Sequence, residues 1–341
     1  MGKIQTTTVS AASIAAAGHP TRSWLYIDSA YIRSCLAEFI GTAVFISLAI
    51  GSIAQYVLSR GQNGDLFSVH LGCGLANAMG IYLSFGVSGG HLNPAVSFAM
   101  MLLGQLPVYK CLLYTTAQFA GAVFGSALVY AVYYDAMNHF DGGLRQVVGV
   151  NATAGIFSTY PQTFLSVGGG LVDQIICSSI FILLIIALSD PHNTSPPKGV
   201  FPLLIGLLLT SVSLALGMNA GNAMNPARDL GPRFFTACAG WGSKVFASKS
   251  YRWFWIPVVG PYIGAVIAVV CYQLTIGLHW PDTNIVEIAT TKEKKLIPIA
   301  ESTPRDTSED INTSLEHMDP NAKDTLYLTS NQSRTGRLSQ A

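Results

Sequence analysis

The chain has 341 residues and a formal net charge of +1, and only 11% of its residues are Asp, Glu, Lys or Arg. A soluble domain carries roughly 25%, whereas half of this chain is hydrophobic. With a near-neutral balance nothing points to nucleic acid, and the distribution of charge excludes an ordinary soluble fold.

Residues 1–25 are rich in Ser, Thr and Ala and lack the apolar core of a signal peptide, so residues 1–30 read as a disordered tail. Charge is then missing from 39–59, 66–109, 111–134, 174–189, 199–227 and 253–281. A hydrocarbon core takes roughly 20 residues of helix. Five of these runs reach that length, and 174–189 reaches it when extended back over Asp173 to about Phe164. Six spanning helices are predicted, over 33–58, 67–87, 108–134, 167–189, 199–217 and 252–275. The run 66–109 is too long for one span and too short for two with a loop, and the apolar segment after the fifth span has the same surplus. Each surplus piece is expected to dip into the membrane and return, which is tolerated only inside protein or along a watery cavity. Residues 281–341 are polar and charged, with too little apolar surface to fold alone.

Six spans put both tails on one side. That side carries twelve Lys and Arg, including Lys3, Arg22, Arg33, Lys110 and Lys198. The other carries seven: Arg60, Arg145, Arg228, Arg233, Lys244, Lys249 and Arg252. This modest bias favours cytoplasmic termini. Cys35, Cys73, Cys111, Cys177, Cys238 and Cys271 lie in or beside spans without metal spacing, so neither a metal site nor a disulfide framework is expected.

The sequence repeats itself. Gly89-Gly90-His91-Leu92-Asn93-Pro94-Ala95 echoes Gly221-Asn222-Ala223-Met224-Asn225-Pro226-Ala227, with an offset of 132. Glu38-Phe39-Ile40-Gly41-Thr42 echoes Gln174-Ile175-Ile176-Cys177-Ser178 at 136, and Gln118-Phe119-Ala120-Gly121-Ala122 echoes Pro261-Tyr262-Ile263-Gly264-Ala265 at 143. The first repeat with its outer loop occupies 31–160, and the second occupies 161–280. Each has three spans, an odd number, so the second must enter the membrane from the opposite side. Such inverted repeats place a solute path at the midplane.

Asn before Pro is a strong helix start, because Asn caps and Pro loses nothing in the first turn. Asn93-Pro94 and Asn225-Pro226 therefore open two re-entrant half-helices that meet at the centre, N-terminus to N-terminus. Each N-terminus carries roughly half a positive charge, and two facing one lumen repel cations and protons. The asparagine amides can donate to a passing oxygen. The preceding carbonyls of Gly89, Gly90, His91, Asn219, Ala220 and Gly221 can accept from it. One Asn-Pro-Ala alone reads as a helix cap; two in an inverted apolar repeat read as a pore.

With these boxes, residues 30–275 resemble the aquaporin family. The resemblance implies an all-α membrane protein with six transmembrane helices and two half-helices in a right-handed bundle, assembled as a homotetramer with one pore per subunit. Asp229 after Arg228, Arg233 five residues after Arg228, Pro257-Val258 in the sixth span and the run Tyr133-Tyr134-Asp135-Ala136 resemble the aquaglyceroporin branch. That branch implies a passive channel for water and small neutral solutes such as glycerol. No cofactor, metal or catalytic residue is implied.

Family spacing places the selectivity constriction at Cys73, Ser213, Asn222 and Arg228. Glycerol-conducting relatives commonly place one or two aromatics there, and here there are none. The ring is expected to be wide and polar, which extends the solute range to urea. A charge in a membrane segment costs at least ~2.5–3.5 kcal/mol and marks a solute pathway. For Arg228 the alternative is a salt bridge with Asp229, but neighbours on a helix point in different directions. Asp229 is expected to face the protein and hold the loop, against Arg233. Glu38 resembles the glutamate that braces the half-helix loop. Its counterpart Gln174 departs from that pattern, and still can bond backbone N–H groups.

Asn151-Ala152-Thr153 is a glycosylation pattern in the long outer loop, whereas Asn193, Asn312 and Asn331 fall on the tail side. Arg337-Leu338-Ser339 suits a basophilic kinase. The rival function is a coupled secondary transporter of a small polar metabolite. It needs titratable groups at the midplane, and only His91 offers one, where a packed histidine serves as well. A plasma-membrane location is expected.

Overall fold

The computed structural model describes residues 25–281. Its helix starts are written locally. Ser29 caps α1 (Ala30–Leu58) by accepting from the Ile32 N–H. Asp65 and Ser68 form a reciprocal capping box at the head of α2 (Leu66–Ser88). Asn93 and Pro94 open α3 (Pro94–Leu102), and Pro107 precedes α4 (Val108–Val132). After the short α5 (Tyr134–Asp141), Ser166 caps α6 (Val167–Ser189). Then follow α7 (Phe201–Leu216), α8 (Pro226–Thr236) and α9 (Ile256–Thr275). The expected tails over 1–30 and 281–341 lie almost wholly outside the described residues, as do Asn312, Asn331 and Arg337-Leu338-Ser339.

Five helices, α1, α2, α4, α6 and α9, are long and apolar enough to cross a bilayer. The sixth span, α7, is apolar but has only 16 residues, about 24 Å at 1.5 Å per residue. Helices α3 and α8 have 9 and 11 residues, or about 14 and 17 Å, each roughly half a bilayer core.

Several predicted boundaries shift; the first span begins at Ala30 rather than 33, and the second runs one residue further at each end. The third span ends at Val132 rather than 134, because Tyr133 leaves helical geometry (ψ 15°) and α5 begins. Arg145 explains the break: its guanidinium lies 5.3 Å from the Tyr130 ring and 5.5 Å from the Tyr134 ring, and binds Asp141 at the far end of α5. The fifth span is shorter at both ends than 199–217. The sixth starts at Ile256 rather than 252, since the stretch before it turns to bury Trp253, whose indole donates to the Thr159 carbonyl at 2.9 Å.

Helix packing repeats the duplication seen in sequence. Helix α1 packs on α2 and α4, and α6 packs on α7 and α9. Helix α3 packs on α4 and α9, and α8 on α9 and α4. Helices α2 and α7 touch each other, as do α3 and α8. Exchanging each element for its counterpart leaves this pattern unchanged. At the α2–α7 crossing, Gly74 and Gly206 are themselves 132 positions apart. A Cβ on Gly74 would stand 2.4 Å from the Gly206 carbonyl oxygen, and one on Gly206 would stand 2.5 Å from that of Gly74. Only glycine permits this approach, which is how helices associate where lipid removes the hydrophobic drive.

Candidate functional site

The two half-helices are capped alike. Asn93 Oδ1 accepts from the Ala95 N–H at 2.9 Å, and Asn225 Oδ1 accepts from the Ala227 and Arg228 N–H groups at 3.0 and 3.1 Å. Each amide nitrogen then crosses to the opposite loop. Asn93 Nδ2 donates to the Met224 carbonyl at 2.9 Å, and Asn225 Nδ2 donates to the Leu92 carbonyl at 2.8 Å. These reciprocal bonds fix both amides with their oxygens toward the helix. A primary amide has two donors, so each asparagine retains one N–H beyond its cross-loop bond, and both asparagines line the cavity.

The backbone before each box follows one path twice. Gly89 and Gly221 have φ of 92° and 73°, Gly90 and Asn222 have 64° and 30°, and Leu92 and Met224 have 52° and 50°. The left-handed φ suits Gly and, among other residues, Asn best. This places Asn222 where the first repeat carries Gly90.

Buried carboxylates and amides brace these loops. Glu38, fully buried, accepts from the His91 N–H at 3.0 Å, the Leu92 N–H at 2.8 Å and Gln118 Nε2 at 2.8 Å. Gln174 Oε1 accepts from the Ala223 N–H at 2.9 Å. It works beside Asp173, which sequence reasoning passed over as an interruption of a span. Asp173 accepts from Gln174 Nε2 and from Asn219 Nδ2, each at 2.9 Å. Asn219 corrects an expectation. Its carbonyl accepts from the Gln162 N–H at 2.9 Å, and Asn219 is not among the residues lining the cavity. The Gly89, Gly90, His91, Ala220 and Gly221 positions do line it. His91 is packed edge-on against Tyr114, with Nδ1 3.1 Å from Ser97 Oγ.

Cys73, Ser213, Asn222 and Arg228 all face the same cavity. Asn222 Nδ2 is buried and has no hydrogen-bond partner. Arg228 does not pair with Asp229; its Nη1 donates to the Phe157 carbonyl at 3.0 Å. Asp229 and Arg233 are fully buried and paired at 2.8 Å. Asp229 Oδ2 also accepts from the Thr159 N–H at 2.7 Å and from the Thr159 hydroxyl. Arg233 closes the ring by donating to the Thr159 carbonyl at 2.6 Å and to that of Val245 at 2.8 Å. Residues 157–160 of the outer loop are thus held beside Arg228, and Ser158, Thr159 and Tyr160 line the cavity. Nothing in their types signals this role; only the buried pair 70 residues later in the chain positions them.

The cavity has a volume of about 900 Å³ and runs the length of the bundle. At one end it is lined by Leu66, Phe67 and Gln162, and at the other by Gln105, Ser195 and Lys198, with the two asparagines between. Its lining combines apolar side chains such as Phe45, Ile81, Phe181 and Ile205 with the loop segments and amides around both Asn-Pro-Ala boxes. A column of small polar molecules can exchange hydrogen bonds with those loop groups.

A lumen threaded between two asparagine-capped half-helices of a duplicated helical bundle defines a membrane channel. The sequence matches the Major intrinsic protein family over residues 26–272, and the chain belongs to that family, within its aquaglyceroporin branch. It is 47% identical to "Aquaporin-10" of Milnesium tardigradum over 80% of this chain and 70% of that protein. It is 45% identical to "Aquaporin-9" of Homo sapiens over 82% of this chain and 94% of that protein. Among solved structures, the aquaglyceroporin from Plasmodium falciparum superposes with a TM-score of 0.65 at 29% identity, covering 76% of this chain and 99% of that one. The chain is a passive channel and not an enzyme.

Proposed function

We infer that this channel passes water and glycerol down their gradients, admits urea, and turns back protons and ions. Similarity to "Aquaporin-9" and to an aquaglyceroporin structure supports the first part. The half-charges at two helix N-termini support exclusion of cations. The reciprocal asparagine bonds support exclusion of protons, since they hold two amide donors at the centre of the path with both amide oxygens turned toward the helices.

One observation carries the solute range. The four constriction positions hold a thiol, a hydroxyl, an amide and a guanidinium, with no aromatic ring, and the Asn222 amide nitrogen is unpartnered. A ring of polar side chains without an aromatic leaves open cross-section, and the Arg228 guanidinium, with donors beyond its bond to the Phe157 carbonyl, can meet the hydroxyls of glycerol and the carbonyl of urea. Purified channel in proteoliposomes should pass water, glycerol and urea. Asn222→Phe should narrow the ring and cut urea flux several-fold more than water flux. Equal loss of both, or none, would remove Asn222 from the constriction.

The same reading gives a homotetramer in the plasma membrane, with both termini cytoplasmic, supported by the Lys and Arg distribution. Epitope tags at either terminus should be reached only after permeabilisation. Asn151 is then the outward glycan acceptor. Thr153 of its pattern is fully buried, with its hydroxyl bonded to Asp141 and Trp241. Attachment must therefore precede closure of the outer loop.

A further inference from the structure

The second repeat has lost the carboxylate that braces the first. Glu38 presents two oxygens that only accept, so it meets the His91 and Leu92 N–H groups in either orientation of its carboxylate. Gln174 presents one acceptor and one donor. In one orientation its Oε1 meets the Ala223 N–H; flipped, it would turn an NH₂ toward that N–H and leave a buried donor unpaired. Gln174 is wholly buried, so water cannot repair the error. Something must hold the amide the right way round.

Asp173 is placed to do this. Its Oδ2 accepts from Gln174 Nε2 at 2.9 Å, and its Oδ1 accepts from Asn219 Nδ2 at 2.9 Å. An ionised carboxylate has no donor, so the flipped Gln174 would set two acceptors against each other at one end and two donors at the other. We propose that Asp173 is a positioning residue that locks the Gln174 amide and, through the Ala223 N–H, fixes the turn presenting Asn222 to the lumen. The negative charge of the brace has moved one position along α6, and the glutamine relays it to the loop. The second arm to Asn219 anchors the start of the same turn, three residues before Asn222.

The chemistry predicts an unusual pattern of substitutions. Asp173→Asn lets residue 173 pair with either orientation of Gln174 and releases the lock. Gln174→Glu alone places two carboxylates side by side, whose repulsion disfavours the site. Asp173→Asn/Gln174→Glu combines the two into a workable brace. The carboxylate introduced at position 174 accepts from the Ala223 N–H as Glu38 does from that of His91, its counterpart in the first repeat, and the amide introduced at position 173 can donate to it. Each single change should therefore harm the channel and the pair should recover it.

The experiment measures water and glycerol permeability of the full chain in proteoliposomes, per incorporated channel, for the parent, both single variants and the double. Asp173→Asn should lower the glycerol-to-water ratio by roughly threefold or more, because an unpaired backbone donor displaces the Asn222 turn. A role confined to folding would change only the yield of channels. The double variant should return the ratio to within about twofold of the parent, by the same arithmetic. If a single variant fails to insert, a double variant that inserts and conducts still supports the lock. A parent-like ratio in Asp173→Asn, or a double variant worse than both singles, overturns it. The ratio readout rests on Asn222 lining the constriction, so Asn222→Phe is run alongside. Should that change move the ratio while Asp173→Asn does not, the lock alone is wrong; should neither move it, the constriction reading fails first.

Discussion

Replacing Arg233 with methionine isolates what the buried ion pair does. Arg233 is completely buried and donates to Asp229 Oδ1 through Nε and Nη2 at 3.0 and 2.8 Å, to the Val245 carbonyl at 2.8 Å and to the Thr159 carbonyl at 2.6 Å. Methionine fills most of the space and donates nothing. Thr159 keeps the Trp253 indole as a partner, but Asp229 retains only the Thr159 N–H and hydroxyl. Removing one partner of a buried pair costs about 3–5 kcal/mol, most of it the penalty of an uncompensated charge. The Val245 carbonyl keeps only the longer bond from the Tyr160 hydroxyl at 3.4 Å, and the lost guanidinium bond adds about 1 kcal/mol. Detergent-solubilised Arg233→Met should therefore lose roughly 4 kcal/mol or more in denaturant unfolding followed by tryptophan fluorescence. Asp229→Leu/Arg233→Met removes both charges and should recover much of that loss. It cannot hold Thr159, so its glycerol flux should remain low. A single variant that loses less than about 1 kcal/mol, or a double less stable than the single, would refute the assignment of Arg233 and Asp229 as the clasp of the outer loop.

Three further outcomes follow from the geometry. Asn93→Asp or Asn225→Asp puts a carboxylate against two helix N-termini, and patch-clamp or proton-flux assays should show cation or proton leak while the fold survives; a tight channel would mean the amides do not control exclusion. A small charged thiol reagent should block the parent through Cys73, and Cys73→Ser should conduct and resist the block; equal inhibition of both would take Cys73 out of the lumen. At the end of α6, burial raises the Asp190 carboxyl, but donors from Tyr272, the His192 N–H, Trp280 and the His192 ring outweigh it and hold the group down at about 2. A depressed carboxyl contributes stability that is complete above its unfolded value of about 3.9 and fades as pH falls through its folded value. Acid titration should loosen the Tyr272–Asp190–Trp280 tie only below about pH 4, and Asp190→Asn should abolish that component of the tryptophan fluorescence change.

Much of the architecture is legible in the chain because its causes are local. A run without charge can satisfy its backbone in lipid only as helix, so the charge-free runs locate the spans. Asn followed by Pro fixes a helix start within about four residues, so Asn93 and Asn225 locate both half-helices, and the repeated glycines before them signal the left-handed turns at 89, 90 and 221. Arg228 and the pair Asp229–Arg233 are conspicuous because charge in an apolar setting needs a reason. The remainder depends on partners far away in sequence. Asp173 looks like an interruption of a span until Asn219, 46 residues on, comes to meet it. The Asn219 carbonyl looks available until Gln162 takes it from a loop 57 residues earlier. Residues 157–160 look like ordinary loop until Arg228, Asp229 and Arg233 pin them at a separation of about 70 residues. Sequence alone determined where the six spans and the two half-helices lie, to within a few residues, since capping and burial act locally. Tertiary structure decided which polar groups face that lumen and which are consumed in holding it, since a hydrogen bond is settled by whichever partner the packed fold brings within about 3 Å.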